Sequence, residues 1–241
     1  MKKNSTIPLI ATIIVAAVAI AAVVIAIVTL NAGKGNTEPG QQGGVTNEFR
    51  PTQELVEECT YAAHDLVADS YKIVRLFVTE GLAHYGEPYG NEPEDGIYTV
   101  NSQEYSSLSQ IEDFVYSVYT NSEAERILKN IDGNGTAVYR DREILVDDNS
   151  TVEGTADSSH MYKTETVLGI SADFAPDTGY TKDWSSCRIA VLPKSELECE
   201  LTVYLDGLDE NSEITEENKG SVLEIPMLKV DGEWKLALFT Y

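Results

Sequence analysis

The apolar positions of this chain change their period twice. Residues 7–30, opened by Ile7 and closed by Leu30, form 24 consecutive residues with seven Ala, seven Ile, five Val, two Leu, two Thr and one Pro, and neither charge nor Gly. As a helix the run would reach roughly 36 Å, enough to cross a hydrocarbon core of ~30 Å. It exceeds the apolar core of about 7 to 15 residues in a cleaved leader, so the expectation is an uncleaved transmembrane signal-anchor. Lys2 and Lys3 precede the run and only Lys34 follows it closely. That bias sets residues 1–6 in the cytoplasm and everything beyond the run outside a cell membrane that the chain crosses once.

Residues 31–50 lose all periodicity. Gly33, Gly35, Pro39, Gly40, Gly43 and Gly44 among polar neighbours predict a flexible tether. From residue 51 to 241 a separate α+β domain is expected. Its first element carries Leu55, Val56, Cys59, Ala62, Ala63, Leu66, Val67, Ile73, Val74 and Phe77 at three- and four-residue intervals, which makes one apolar stripe on a long helix. Pro51-Thr52 opens it, Gly81 ends it, and Glu54, Glu57 and Glu58 stand where the helix dipole favours anions.

Two short helices are predicted next. Ser109 to Glu112 and Ser122 to Glu125 read as capping boxes, with Ile111, Phe114, Val115 and Val118 facing inward in the first and Ala124, Ile127, Leu128 and Ile131 in the second. After residue 136 the period becomes two. Leu197, Cys199, Leu201, Val203 and Leu205 alternate with Glu198, Glu200, Thr202 and Tyr204, a strand with one wet face. Further strands are expected at 97–100, 137–140, 143–146, 166–174 and 188–192. Asp231-Gly232 predicts a tight hairpin that sets Trp234, Leu236 and Leu238 beside Lys229, Met227 and Ile225. Pro226 then requires a bulge or a strand edge. The expected domain is a long helix and two short ones on a bent antiparallel sheet of five or six strands.

Charge narrows the partners. Of 17 Lys+Arg, three (Lys2, Lys3, Lys34) lie at the start, so 14 remain against all 40 Asp+Glu, a net of -26 on the part that follows. Such a field repels nucleic acid and anionic lipid and favours a basic or neutral protein partner.

Candidate chemistry is sparse. His64, His84 and His160 have no metal-ligand spacing and no visible partnered base. Asp132-Gly133-Asn134-Gly135-Thr136, with Glu143 at the twelfth place, imitates a calcium loop. It has Ala137 where a Gly is needed, and an ordinary turn accounts for it. The acidic run from Asp206 to Glu213 reads as a solvated hairpin loop. Three cysteines allow one internal disulfide. Cys187 and Cys199 are the favoured pair, although a simple hairpin register leaves them about three residues out of line, and Cys59 reads as a buried thiol. With 13 Tyr against five Phe and two Trp, a Tyr-rich sheet face is the expected contact surface. No catalytic, cofactor-binding or metal-binding residue is assigned, and no enzyme is expected.

The closing hairpin, Val222 to Leu236 with Asp231-Gly232-Glu233-Trp234-Lys235, resembles the final strands of NTF2-like and cystatin-like extracytoplasmic domains. Between residues 97 and 142, the order of the Tyr98 strand, a helix over 108–120, a helix with Ala124, Ile127 and Leu128, and then Ala137-Val138-Tyr139-Arg140 is similar to a bacterial family of inhibitors of cell-wall DL-endopeptidases. That resemblance implies a binding module that regulates or blocks NlpC/P60-type peptidoglycan hydrolases. The alternatives are an NTF2-like small-molecule site or enzyme, and a structural component of an envelope complex.

Overall fold

The computed structural model describes residues 49–86, 96–129, 137–148 and 161–241, and Pro51–Tyr241 form one unit. Helix α1 spans Gln53–Val74. Thr52 caps it, its hydroxyl accepting from the Leu55 N–H at 3.2 Å, which satisfies one of the orphan donors of the first turn. The expected stripe is the buried face: Cys59, Ala63, Leu66, Val67, Ser70, Ile73 and Val74. The helix loosens into a π-turn over Arg75–Thr79. Gly81 then takes φ +69°, a left-handed conformation that glycine adopts without strain, with the Phe174 ring against it.

Helices α2 (Leu108–Val118) and α3 (Asn121–Lys129) follow. The cap of α2 is Ser107, whose hydroxyl accepts from the Gln110 N–H, two residues earlier than the expected box at Ser109. The Gln110 side chain in turn accepts from the Ser106 N–H at 2.7 Å. Adjacent serines made the register ambiguous from sequence.

Strands β1 (Ile97–Thr99), β2 (Tyr139–Asp148) and β3 (Met161–Ser171) make a three-stranded antiparallel sheet in the order β1-β3-β2. Strands β4 (Arg188–Pro193), β5 (Glu198–Tyr204), β6 (Val222–Val230) and β7 (Glu233–Leu236) make a four-stranded sheet in chain order. Cys199, Leu201, Val203, Leu223, Ile225, Met227, Trp234 and Leu236 bury the inner face of that sheet, on which α1 lies against β4 and β7.

Two expectations are corrected. The α+β class stands, but the single bent sheet of five or six strands is two sheets of three and four. The strands expected at 137–140 and 143–146 are one strand. β2 pairs with β3 from Tyr139↔Ile170 to Asp148↔Met161, and β1 takes the other side of β3, so β3 is the central strand of a sheet separate from β4–β7. The membrane helix is the second correction. Among the described residues no helix is long and apolar enough to cross a membrane. The 22-residue α1 has the length, but it carries Glu54, Glu57, Glu58, Asp65 and Asp69, whose transfer to hydrocarbon is prohibitive. The run at 7–30 and the tether up to residue 48 lie outside the described residues. The single-pass placement in a cell membrane, with residues 1–6 in the cytoplasm, therefore has no element of this fold behind it and is withdrawn.

The Asp231-Gly232 turn has φ of 52° and 89°, both in the range a two-residue hairpin demands. Lys229 faces Trp234 and Met227 faces Leu236, as the hairpin arithmetic requires. Leu238 falls beyond the strand. Pro226 stays in register with Glu200 on one side. On the other side it only accepts, from the Ala237 N–H at 2.8 Å. β7 stops at Leu236, one residue short of where Pro226 would have to donate.

Candidate functional site

The C-terminal end of α1, the π-turn and the loop after β3 enclose an open cleft of about 450 Å³ walled by Tyr71, Glu80, Asp177, Tyr180, Lys182 and Asp183. Local chemistry fixes each wall. The Asp177 N–H donates to the Val78 carbonyl at 2.8 Å, tying the loop to the π-turn. The Asp177 carboxylate accepts from the Gly179 N–H at 2.9 Å, an Asx turn that shapes the bend. The Asp183 N–H donates to the Asp206 carboxylate at 2.7 Å, and the Asp206 N–H returns a bond to the Asp183 carbonyl at 3.0 Å.

Aromatic rings support the floor. Trp184 is buried, stacks on Tyr71 with centroids 5.2 Å apart, and donates its indole N–H to the Tyr180 hydroxyl. Tyr180 meets Tyr241 at 6.0 Å, Tyr241 meets Phe239 at 5.4 Å, and Phe239 meets the buried Tyr119 edge-on at 5.7 Å. A continuous aromatic chain thus runs from the cleft into the core.

The electrostatics are acidic. Hydrogen bonds from the Ser185 hydroxyl and N–H, with a further one from Ser186, hold the Asp183 carboxyl below its ordinary range. Arg75, donating to Glu80 at 2.7 and 2.8 Å, does the same for Glu80. Burial raises the Tyr180 phenol, so it stays protonated. The walls present three carboxylates against one ammonium, and two phenol rings. A second cavity of about 230 Å³ lies on the far side of the Arg75–Glu80 pair, beside Lys72, Glu104 and Tyr105. The walls of the cleft also carry the hydroxyls of Thr79, Thr178 and Thr181. The arrangement suits recognition of a cation: carboxylates attract it and ring faces receive it.

The histidines lie elsewhere. His64 is exposed on α1, His84 stacks on Tyr98 at 4.5 Å, and His160 lies outside the described residues. The Asp132 turn also lies outside them. In the acidic run, Asp206 (φ 55°) and Gly207 (φ 74°) make the bend, and Asp209 accepts from the Asn211 N–H and from Ser212. Asp206 accepts from outside the run, from the Asp183 N–H and the Ser221 hydroxyl. Among the described residues no group of three His, Cys, Asp or Glu is placed to hold a metal ion.

The expected Tyr-rich sheet face is absent: of the described strand tyrosines Tyr204 alone lies on the open face of the four-stranded sheet, among Glu200, Thr202 and Glu224. The aromatics gather at the cleft instead. Sequence reading passed over Tyr180 and Trp184 because they lie in a loop with no period. Their four-residue spacing beside Asp177 and Asp183 was the available signal.

The favoured cysteine pair is also corrected. All three cysteines are free. Cys199 faces Pro193 across the β4–β5 ladder, six residues along the chain from Cys187, or about 20 Å at the rise of a strand. A disulfide needs Cα atoms within about 7 Å. Cys199 is fully buried in the core, as is Cys59, and the Cys199 thiol donates to the Glu200 carbonyl at 3.9 Å.

No protein-family model matches the chain, and no curated protein matches its sequence. The resemblances carried by residues 97–142 and 222–236 therefore receive no independent support.

Proposed function

We propose that residues 51–241 are a non-catalytic recognition module that takes a basic protein partner, with the Tyr71–Tyr180 cleft receiving a Lys or Arg side chain. The cleft carries this reading: Glu80, Asp177 and Asp183 surround two phenol rings, with Lys182 the one opposing charge on its walls. The formal charge of -23 on the chain adds a long-range field that steers a cationic partner toward it. The resemblance over residues 97–142 points to the partner class, a basic peptidoglycan hydrolase of the NlpC/P60 type, whose activity the module would restrain. The face of the four-stranded sheet that an NTF2-like site would leave hollow is occupied by α1, which favours the binding reading over a small-molecule enzyme.

The test measures binding to a panel of such endopeptidases at low and high salt, together with their rate of wall digestion. Binding that weakens with salt and slows digestion is expected. Lys182→Glu removes the opposing charge and tightens it several-fold, while Asp177→Asn weakens it. No binding by any member of the panel at low salt, or binding indifferent to both substitutions, sinks the proposal.

A further inference from the structure

Among the described residues the two sheets end in β1, β2, β4 and β7, and three of these borders are blunted. β1 is only 3 residues long, β2 carries Arg140, Asp141, Arg142 and Glu143, and β7 meets the Tyr119–Thr120 segment. Shortness, charge and cover are the means by which a strand border is kept from pairing. β4 uses none of them between its ends. Ile189, Ala190, Val191 and Leu192 form an uncharged run, and among the described residues its ladder partner is β5 alone.

The register shows which backbone groups are left over. The Lys194 N–H donates to the Glu198 carbonyl at 2.9 Å, and bonded and non-bonded pairs alternate along the ladder from there. Leu192–Glu200 and Ala190–Thr202 are therefore bonded pairs, while Ile189 and Val191, opposite Val203 and Leu201, turn their N–H and C=O groups away from β5. Both groups of two alternate residues line the border, as an added strand requires. The Ile189 and Val191 side chains pack on the core, on the side of the sheet that α1 covers. Ala190 and Leu192 point to the open face, in rows with Thr202 and Glu224 and with Glu200 and Pro226.

From this geometry we infer that β4 adds an extended segment of a basic protein partner as an antiparallel fifth strand of its sheet. Residues of the segment opposite Ile189 and Val191 are apolar and continue the core layer. Those opposite Ala190 and Leu192 are Lys or Arg, on a face where Glu198, Glu200, Glu224 and Glu233 outnumber Arg188, Lys194 and Lys235. The choice of occupant, though not the open border, rests on the basic partner proposed above. The border also continues the cleft. Its wall residue Asp183 leads into a turn in which the Cys187 N–H donates to the Trp184 carbonyl at 3.2 Å, and β4 begins at the next residue. A segment antiparallel to β4 thus leaves the border at the cleft end. Pairing of β4 with a second copy is opposed by the formal charge of -23 that each chain carries.

The experiment titrates the full chain with a fluorophore-labelled octapeptide that alternates Val with Lys, reading anisotropy and amide hydrogen exchange at single residues. Binding should slow exchange at Ile189 and Val191 about tenfold or more and leave Ala190 and Leu192, already bonded to β5, unchanged. N-methylation of the peptide separates its two borders without altering the protein. Methyl groups on the Val amides, which face β4, should weaken binding about tenfold or more, and methyl groups on the Lys amides should leave it unchanged. Val191→Pro, on a border strand that tolerates proline, should act like the Val methyl groups in protein whose circular dichroism is unaltered. No binding, equal binding of the two methylated peptides, or protection that bypasses Ile189 and Val191 overturns the inference. A dimer in sedimentation that Val191→Pro abolishes overturns it too, by making a second copy the occupant. If the endopeptidases of the panel still bind in a way that Asp177→Asn weakens, the cleft reading survives that failure.

Discussion

Glu123 is the sharpest place to test how this fold is held. It begins α3, is only 8% exposed, and its carboxylate receives three donors: Arg126 Nε at 3.1 Å, Arg126 Nη2 at 2.7 Å, and the Phe239 N–H by a short bond. One side chain thus locks α3 to the C-terminal tail that carries Phe239 and Tyr241 toward the cleft. Removing one member of a fully buried ion pair costs roughly 3–5 kcal/mol. The Arg126 side chain keeps 29% of its exposure and recovers some hydration, so Glu123→Ala should cost about 3 kcal/mol, from lost charge-assisted bonds and a stranded amide. For a domain of this length that is a fall of about 6–12 °C in midpoint. Glu123→Gln keeps an acceptor and should cost about half as much.

The pH dependence gives a second reading of the same contact. Burial opposes the Glu123 charge, but the bonds from Arg126 and Phe239 outweigh it and hold its pKa below the ordinary carboxylate value. A lowered folded-state pKa contributes stability above the unfolded-state value of about 4.3 and loses it as pH falls through the folded one. Urea unfolding followed by Trp184 and Trp234 fluorescence at pH 7 and pH 3 should therefore show the gap between wild type and Glu123→Gln narrowing in acid. A gap that stays constant, or a Glu123→Ala cost below about 1 kcal/mol at pH 7, would refute the reasoning.

Two further outcomes follow from packing. A Cβ at Gly169 would lie 2.3 Å from Ile97 Cγ2 and 3.2 Å from Arg142 Cβ, so Gly169→Ala should cost about 1–3 kcal/mol by overpacking; urea titration checks it, and the Ile97→Ala background should reduce the loss. The Ser70 and Tyr119 hydroxyls meet at 2.7 Å in the core, so Ser70→Ala and Tyr119→Phe should each cost about 1–2 kcal/mol, while the double variant costs clearly less than the sum, because each single change leaves one hydroxyl without a partner.

What the sequence revealed and what it hid divides along physical lines. The stripe on α1 and the alternation in β5 were legible because each reports burial on one face of a regular element. The Asp231-Gly232 turn was legible because few dipeptides tolerate its dihedrals. The number of sheets was not, since β2 and β3 are charged and half-exposed: Arg140, Asp141, Arg142 and Glu143 give no alternation to read. The cleft was hidden for a related reason. Tyr71 comes from a helix and Tyr180 and Asp183 from an irregular loop more than 100 residues later, and the Asp177–Val78 bond and the Trp184–Tyr71 stack bring them together. The favoured cysteine pair was misjudged because proximity along the chain favoured Cys187, whereas the extended β4 strand carries Cys187 away from Cys199.

The stretch joining α2 to α3 does more than connect them. Tyr119 bridges to Leu236, and the Thr120 N–H donates to the Leu236 carbonyl at 2.9 Å, so the last strand of the four-stranded sheet does not present a bare row of backbone groups there. An exposed strand border is where copies of a protein join into oligomers or fibres. Here Pro226 ends the ladder from within and Thr120 occupies the outer side of its final strand. At that margin the molecule is protected against assembling with itself, whatever other surface it offers to a partner.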